Sequence, residues 1–112
     1  MKIEFFGAAR TVTGSCHMLT FEGGKLLVDC GLRQGIDAKG IYGEDQFPFD
    51  PKEIDAVLLT HAHIDHSGLL PLLAKRGFTG TILCTEATAQ LSTIMLPDSA
   101  HIQEIEVEQF NR

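Results

Sequence analysis

An apolar run, Ala56-Val57-Leu58-Leu59, breaks off into His61-Ala62-His63-Ile64-Asp65-His66, and few architectures have a use for such a junction. The run reads as the heart of a buried strand over Ile54–Thr60. Residues two apart on a strand point to the same side, so His61 and His63 can face one point in space as the strand ends. Asp65 and His66 follow on the turn and can close in from another direction. Three of the chain's five histidines fall within these six residues, which weighs against a polar turn with chance histidines. Neutral imidazole suits zinc, and a carboxylate oxygen is an acceptable further ligand. Four donors exceed what one metal with an open position needs. The spacing therefore suggests two neighbouring metals, with His61 and His63 on one and Asp65 and His66 on the other.

The flanking segments read as a mixture of strands and helices. Lys2–Gly7 is a first strand, and Ala8–Gly14 is small, Thr-rich and loop-like. Ser15–Glu22 alternates as a strand does. Gly23-Gly24 is a hairpin signal, and Lys25–Asp29 is the returning strand, so the first three strands form an antiparallel meander. Cys30–Pro51, punctuated by glycine and proline, is a long irregular loop of the kind that tends to be functional. Ser67–Arg76 predicts a short helix, with Pro71 in its first turns and Lys75-Arg76-Gly77 at its end. Thr79–Cys84 is another strand. Glu86–Leu96 is a helix ended by Pro97, and Asp98 or Ser99 caps a last helix, Ala100–Phe110, striped with Ile102, Ile105 and Phe110.

A length of 112 residues allows one domain with a modest core. The net charge of −6, with Lys and Arg spread singly apart from Lys75-Arg76, leaves no basic stripe for a phosphate backbone. Affinity for a nucleic acid would have to come from metal ions or from additional protein. The three cysteines, Cys16, Cys30 and Cys84, form no paired spacing and predict no disulfide framework. Cys30 follows Asp29 closely enough to the histidines to be weighed as a minor metal candidate, although free cysteine in an apolar run is ordinarily a small hydrophobe. Met1-Lys2-Ile3-Glu4 is no signal peptide, no apolar run reaches membrane-spanning length, and a reducing cytoplasm is the expected compartment. His17, alternating with Cys16 on a strand, reads as a sheet-face histidine. His101 reads as a helix-surface or helix-packing residue.

Strand, His-x-His-x-Asp-His, then helix resembles the metallo-β-lactamase superfamily of hydrolases. Three further segments resemble its β-CASP subgroup, the RNA- and DNA-processing nucleases. They are Gly7-Ala8-Ala9-Arg10-Thr11-Val12-Thr13-Gly14-Ser15, Leu27-Val28-Asp29-Cys30-Gly31, and Leu96-Pro97-Asp98-Ser99-Ala100-His101-Ile102-Gln103-Glu104. The resemblance covers essentially the whole chain. It implies an α/β (α+β) fold, the N-terminal half of an αββα sandwich, with a mixed sheet and helices on one side. Family members supply a further His, a bridging Asp, the second sheet and a helical cap later in the chain. Residues 1–112 therefore read as a partial domain without them.

The resemblance also implies a zinc-dependent phosphodiesterase or nuclease acting on RNA, with two Zn2+ per complete site held in part by His61, His63, Asp65 and His66. Asp65 would bind a metal and help to orient the attacking water. Asp29 would accept the free N–H of a ligand imidazole, or would instead be a strand-end turn residue bonding local amides. With two protein donors per metal against the usual three, the expectation is weak metal binding and negligible hydrolysis by this chain alone. The alternatives are a thioesterase- or lactamase-type hydrolase of the same fold, and a non-catalytic metal-binding or assembly half-domain. Half a sandwich leaves one apolar sheet face open, which predicts a homo-oligomer or terminal helices folded over that face.

Overall fold

The computed structural model describes residues 1–7, 13–32 and 47–110, and within the last helix it leaves out the side chains of residues 103, 106, 107 and 110. Most of the two segments expected as loops, Ala8–Gly14 and Cys30–Pro51, therefore lies outside the described residues.

The strands are β1 (Lys2–Gly7), β2 (Cys16–Phe21), β3 (Gly24–Val28), β4 (Ala56–Leu58) and β5 (Thr81–Leu83), forming one sheet in the order β1-β2-β3-β4-β5. β1, β2 and β3 pair antiparallel in the expected meander, whose second turn is Glu22-Gly23 in place of the expected Gly23-Gly24, so that Gly24 pairs with Phe21 and begins β3. β4 and β5 then add in parallel, with Leu27 beside Val57 and Val57 beside Ile82. The sheet is mixed, as expected. The parallel addition needs a crossover, and the helices α1 (Ile64–Ser67) and α2 (Leu70–Lys75) supply it between β4 and β5.

The expected single helix over Ser67–Arg76 is thus two short pieces that begin earlier. The backbone explains the break, because the Leu69 amide donates to the Cys30 carbonyl at 2.9 Å instead of continuing the helical ladder. Pro71 lies in the first turn of α2, where its missing N–H would have no helical partner. Gly77, at φ 115°, takes the left-handed conformation that stops the helix and turns the chain toward β5.

The core lies between α2 and one face of the sheet. Met18, Leu27 and Val57 from the strands meet Leu70, Leu73 and Phe78, with Cys16, Cys30, Ile54 and Leu59 at the margins. The opposite face carries the alternate residues of the same strands. Register places Ile3 beside Leu19, Phe5 beside His17, Leu19 beside Leu26, and Leu58 beside Leu83. Phe5 is 64% exposed, Ile3 and Leu83 51%, and Leu58 38%, so among the described residues nothing covers this face. The open apolar face expected of half a sandwich is present.

The last helix, α3 (Glu86–Phe110), departs from expectation. Pro97 does not end one helix, and neither Asp98 nor Ser99 caps another; the helix runs straight through. Proline at this position removes a single donor, the one that would reach the Thr93 carbonyl. Thr93 is exposed, so water can satisfy that carbonyl. At its start, the Thr88 amide donates to the Thr85 hydroxyl at 3.2 Å, the bond that an N-cap residue makes. Twenty-five residues give a rod of about 37 Å at helical rise, which accounts for much of the molecule's 49 Å long axis. No described helix is long and apolar enough to cross a membrane.

Candidate metal centre

The site forms where β3 and β4 end side by side. Because these strands are parallel and in register, their C-terminal ends deliver Asp29 and Thr60 to the same edge of the sheet. Asp29 is 3% exposed and has φ 63°, in the left-handed region. That conformation costs an L-residue about 1–2 kcal/mol, least for Asp and Asn. The cost is outweighed by the bonds it permits, since hydrogen bonds to a charged acceptor contribute about 1.5–3 kcal/mol each. The Asp29 carboxylate accepts from the Thr60 amide at 2.8 Å and from the Thr60 hydroxyl at 3.0 and 2.8 Å. It also accepts from His66 Nδ1 at 2.7 Å. Of the two roles expected for Asp29, holding an imidazole is the one seen here, and the amide bond that goes with it reaches a distant residue.

The histidine turn is clasped by backbone from three sides. The Ser15 amide donates to the Asp65 carbonyl at 2.9 Å, the Cys30 amide to the His66 carbonyl at 2.8 Å, and the Leu32 amide to the Ile64 carbonyl at 2.9 Å. Ser67, fully buried, donates its hydroxyl to the carbonyls of Ala62 and His63, both at 3.0 Å. Gly31 makes the close approach possible, because a Cβ there would lie 1.7 Å from the Asp65 carbonyl oxygen.

This clasp brings the four expected donors together. His61 and His63 are not on a strand, since β4 stops at Leu58; His63 sits at the N-cap of α1, and Asp65 and His66 are on that helix. The rings of His61 and His63 are nonetheless 4.9 Å apart, centroid to centroid. His61 and His66 are closer, at 3.9 Å. Asp65 Oδ2 lies 3.4 Å from His66 Nε2. The donors form one cluster, and His61 is as much a neighbour of His66 as of His63.

The chemistry of this set suits a divalent cation: three imidazoles, one carboxylate, and a buried carboxylate gripping Nδ1 of His66 so that Nε2 is left for a metal. Among the described residues, however, no three His, Cys, Asp or Glu side chains are arranged to hold one metal ion. His66 Nε2 lies against Asp65 Oδ2 instead. By their chemistry the residues present suit a divalent metal, although their side chains are not arranged around one.

The other candidates fall away from the cluster. Cys30 is fully buried beside Cys16; the hydrogen bond between their thiols, followed by burial, pushes the Cys30 thiol far up, so it keeps its proton and belongs to the core. Cys16, Cys30 and Cys84 are all free. His17 lies on the open sheet face, edge-on to Phe5 at 5.1 Å, with its buried Nδ1 lacking a partner. His101 is exposed on α3. Thr60 and Ser67, which flank the motif, went unrecognised in the sequence, as did the backbone amides of Ser15 and Leu32, which lie far from it; a hydroxyl beside the motif is a signal, whereas a distant amide leaves none.

The chain is similar over most of its length to known proteins. The chain is 48% identical over 104 residues to Ribonuclease TTHA0252 of Thermus thermophilus, covering 93% of this chain and 24% of that protein. It is 34% identical over 106 residues to the transcription termination factor FttA of Methanocaldococcus jannaschii, covering 95% of this chain and 17% of that one. It is 37% identical over 114 residues to cleavage and polyadenylation specificity factor 73 of Drosophila melanogaster, covering 97% of this chain and 16% of that one. These relatives bear out the resemblance to the β-CASP nucleases. The chain spans about a quarter or less of their lengths.

Among solved structures, a metallo-β-lactamase with a HARLDQ motif from Cronobacter sakazakii superposes with a TM-score of 0.55 at 24% identity, covering 79% of this chain and 30% of that one. The short form of human tRNase Z superposes with a TM-score of 0.53 at 21% identity, covering 89% of this chain and 41% of that one. Both share the fold. The model of the metallo-β-lactamase superfamily matches residues 9–105, which takes in the whole histidine turn, and the chain belongs to that superfamily.

Proposed function

We propose that these residues form part of the catalytic domain of a zinc-dependent metallo-hydrolase that cleaves phosphodiester bonds in RNA. The observation that carries the reading is the buried Asp29 carboxylate, held in a left-handed conformation and bonded to both Thr60 and His66 directly beneath the His61–His63–Asp65–His66 cluster. Backbone strain retained at a buried, fully engaged carboxylate is characteristic of functional sites. The choice of RNA is supported by the relatives, whose names include a ribonuclease and a cleavage and polyadenylation factor. It is not supported by charge, since the chain is acidic overall at −6.

His61, His63, Asp65 and His66 would hold the metals. Bound there, two divalent ions would polarise a phosphoryl oxygen and supply a nucleophile from water at neutral pH. Asp29 keeps the His66 ring in one orientation and one tautomer. Asp65, half-buried and beside His66, would bind a metal and help to orient the attacking water. With two donors for each metal, the chain binds zinc weakly and turns over slowly or not at all. Zinc stoichiometry by equilibrium dialysis, together with phosphodiesterase assays on the purified chain, tests this. Weak uptake lost in His63→Ala, without appreciable hydrolysis, is expected; robust turnover abolished by the same change would contradict it.

The open sheet face supports self-association as part of the same proposal. Ile3 and Phe5 on β1, and Leu58 and Leu83 on β4 and β5, are exposed on the same sheet face, and monomers rarely leave large apolar surfaces uncovered.

A further inference from the structure

We propose that Thr60 is a positioning residue that extends the hold of Asp29 to a second imidazole, that of His61, so that one buried carboxylate sets the tautomer of two metal-binding histidines. The proposal rests on the metal reading above.

The number of protons available fixes the direction of each bond. The Thr60 hydroxyl has one proton and three neighbours: Asp29 Oδ1 at 3.0 Å, Asp29 Oδ2 at 2.8 Å and His61 Nδ1 at 2.9 Å. A carboxylate only accepts. If the hydroxyl proton went to His61, Thr60 Oγ1 would face both carboxylate oxygens lone pair to lone pair at hydrogen-bond distance. The proton therefore points to Asp29. The Thr60 oxygen then accepts, and its remaining neighbour, His61 Nδ1, must be the donor. His61 consequently carries its proton on Nδ1 and leaves Nε2 with a lone pair. The same count at His66 is direct, because Nδ1 faces Asp29 Oδ2 at 2.7 Å and must donate, again leaving Nε2.

Thr60 is suited to this by its backbone. Its amide is itself bonded to Asp29 Oδ1 at 2.8 Å, so the same carboxylate holds both its backbone and its hydroxyl. Serine retains the hydroxyl. Valine keeps the shape and the amide and loses the hydroxyl, and with it both the relay and one donor to Asp29. Removing a group that orients a metal-binding imidazole typically weakens metal binding by about 10–100-fold.

Imidazole nitrogen shifts, read by long-range proton–nitrogen correlation on the metal-free chain, test the relay without any activity measurement. His61 is expected as the Nδ1–H tautomer in the wild type and in Thr60→Ser, and as a mixture in Thr60→Val, while His66 stays Nδ1–H in all three. Zinc affinity by competition with a chromophoric chelator should fall about tenfold in Thr60→Val and recover in Thr60→Ser. A His61 tautomer indifferent to Thr60→Val, or equal zinc affinity in all three proteins, overturns the proposal. A wild-type chain that takes up no zinc while showing these tautomers overturns the metal reading and leaves the hydrogen-bond relay standing.

Discussion

At the scale of single residues, Asp29 decides the site. Its carboxylate accepts hydrogen bonds from both Thr60 and His66. Asparagine would retain the size and the tolerance of a left-handed backbone. It would also place an amide N–H against either His66 or Thr60, where only an acceptor serves. Asp29→Asn is expected to drive His66 toward the Nε2–H tautomer, weaken zinc binding at least about tenfold, and cost about 1–3 kcal/mol of stability through mismatched buried polar groups. Nitrogen shifts and urea denaturation would measure both effects. An unchanged His66 tautomer would refute the role given to Asp29. Gly31 offers a separate check. A methyl 1.7 Å from the Asp65 carbonyl cannot be accommodated by a small side-chain adjustment. Gly31→Ala should therefore cost about 3 kcal/mol or more, beyond the usual range for overpacking, and should broaden the resonances of Asp65 and His66.

The four donors were legible in the sequence because they lie within six residues, and local spacing alone brings them close. The Asp29–Thr60–His61 chain was not, because it joins positions far apart in sequence and exists only when β3 and β4 lie in parallel register. The sequence marks Asp29 as a strand end. It does not show the positive φ that aims the carboxylate at two partners.

Among the elements, the meander was readable from the Gly23-Gly24 turn and from alternation, and the strand boundaries agree within one or two residues for β1, β2 and β3. The helices were less readable, for two different reasons. α1 and α2 are separated by a tertiary hydrogen bond from Leu69 to Cys30, which has no local sequence signal. α3 was misread because proline was taken as a stop, whereas an exposed helix can lose one bond to water and continue. Proline in a helix interior still costs about 3 kcal/mol relative to alanine. Pro97→Ala is accordingly expected to raise helicity and slow amide exchange from Thr93 to His101, measured by circular dichroism and hydrogen exchange. Unchanged exchange there would mean that the helix is already broken in solution.

Over the whole molecule, the imbalance between the two sheet faces dominates. One face is sealed by α2, with Leu27, Val57 and Leu73 fully buried. The other shows Phe5 and Ile3 to solvent and holds His17 with an unpartnered nitrogen. That asymmetry was legible from the family resemblance alone, since composition and alternation do not reveal how many layers a sheet packs against. The chain is expected to sediment as a dimer or larger species at micromolar concentration, and Phe5→Lys combined with Leu58→Lys should shift it toward monomer without loss of secondary structure. A wild-type chain that remains monomeric would remove self-association from the account.

The claim on which the functional reading stands is that the turn from His61 to His66 holds metal through imidazole and carboxylate. X-ray absorption on the zinc-loaded chain measures this directly. The account predicts nitrogen and oxygen neighbours at about 2.0–2.1 Å, imidazole scattering that diminishes in His61→Ala and His63→Ala, and no sulfur. A sulfur neighbour at about 2.3 Å, or zinc whose surroundings are the same after both substitutions, would contradict it.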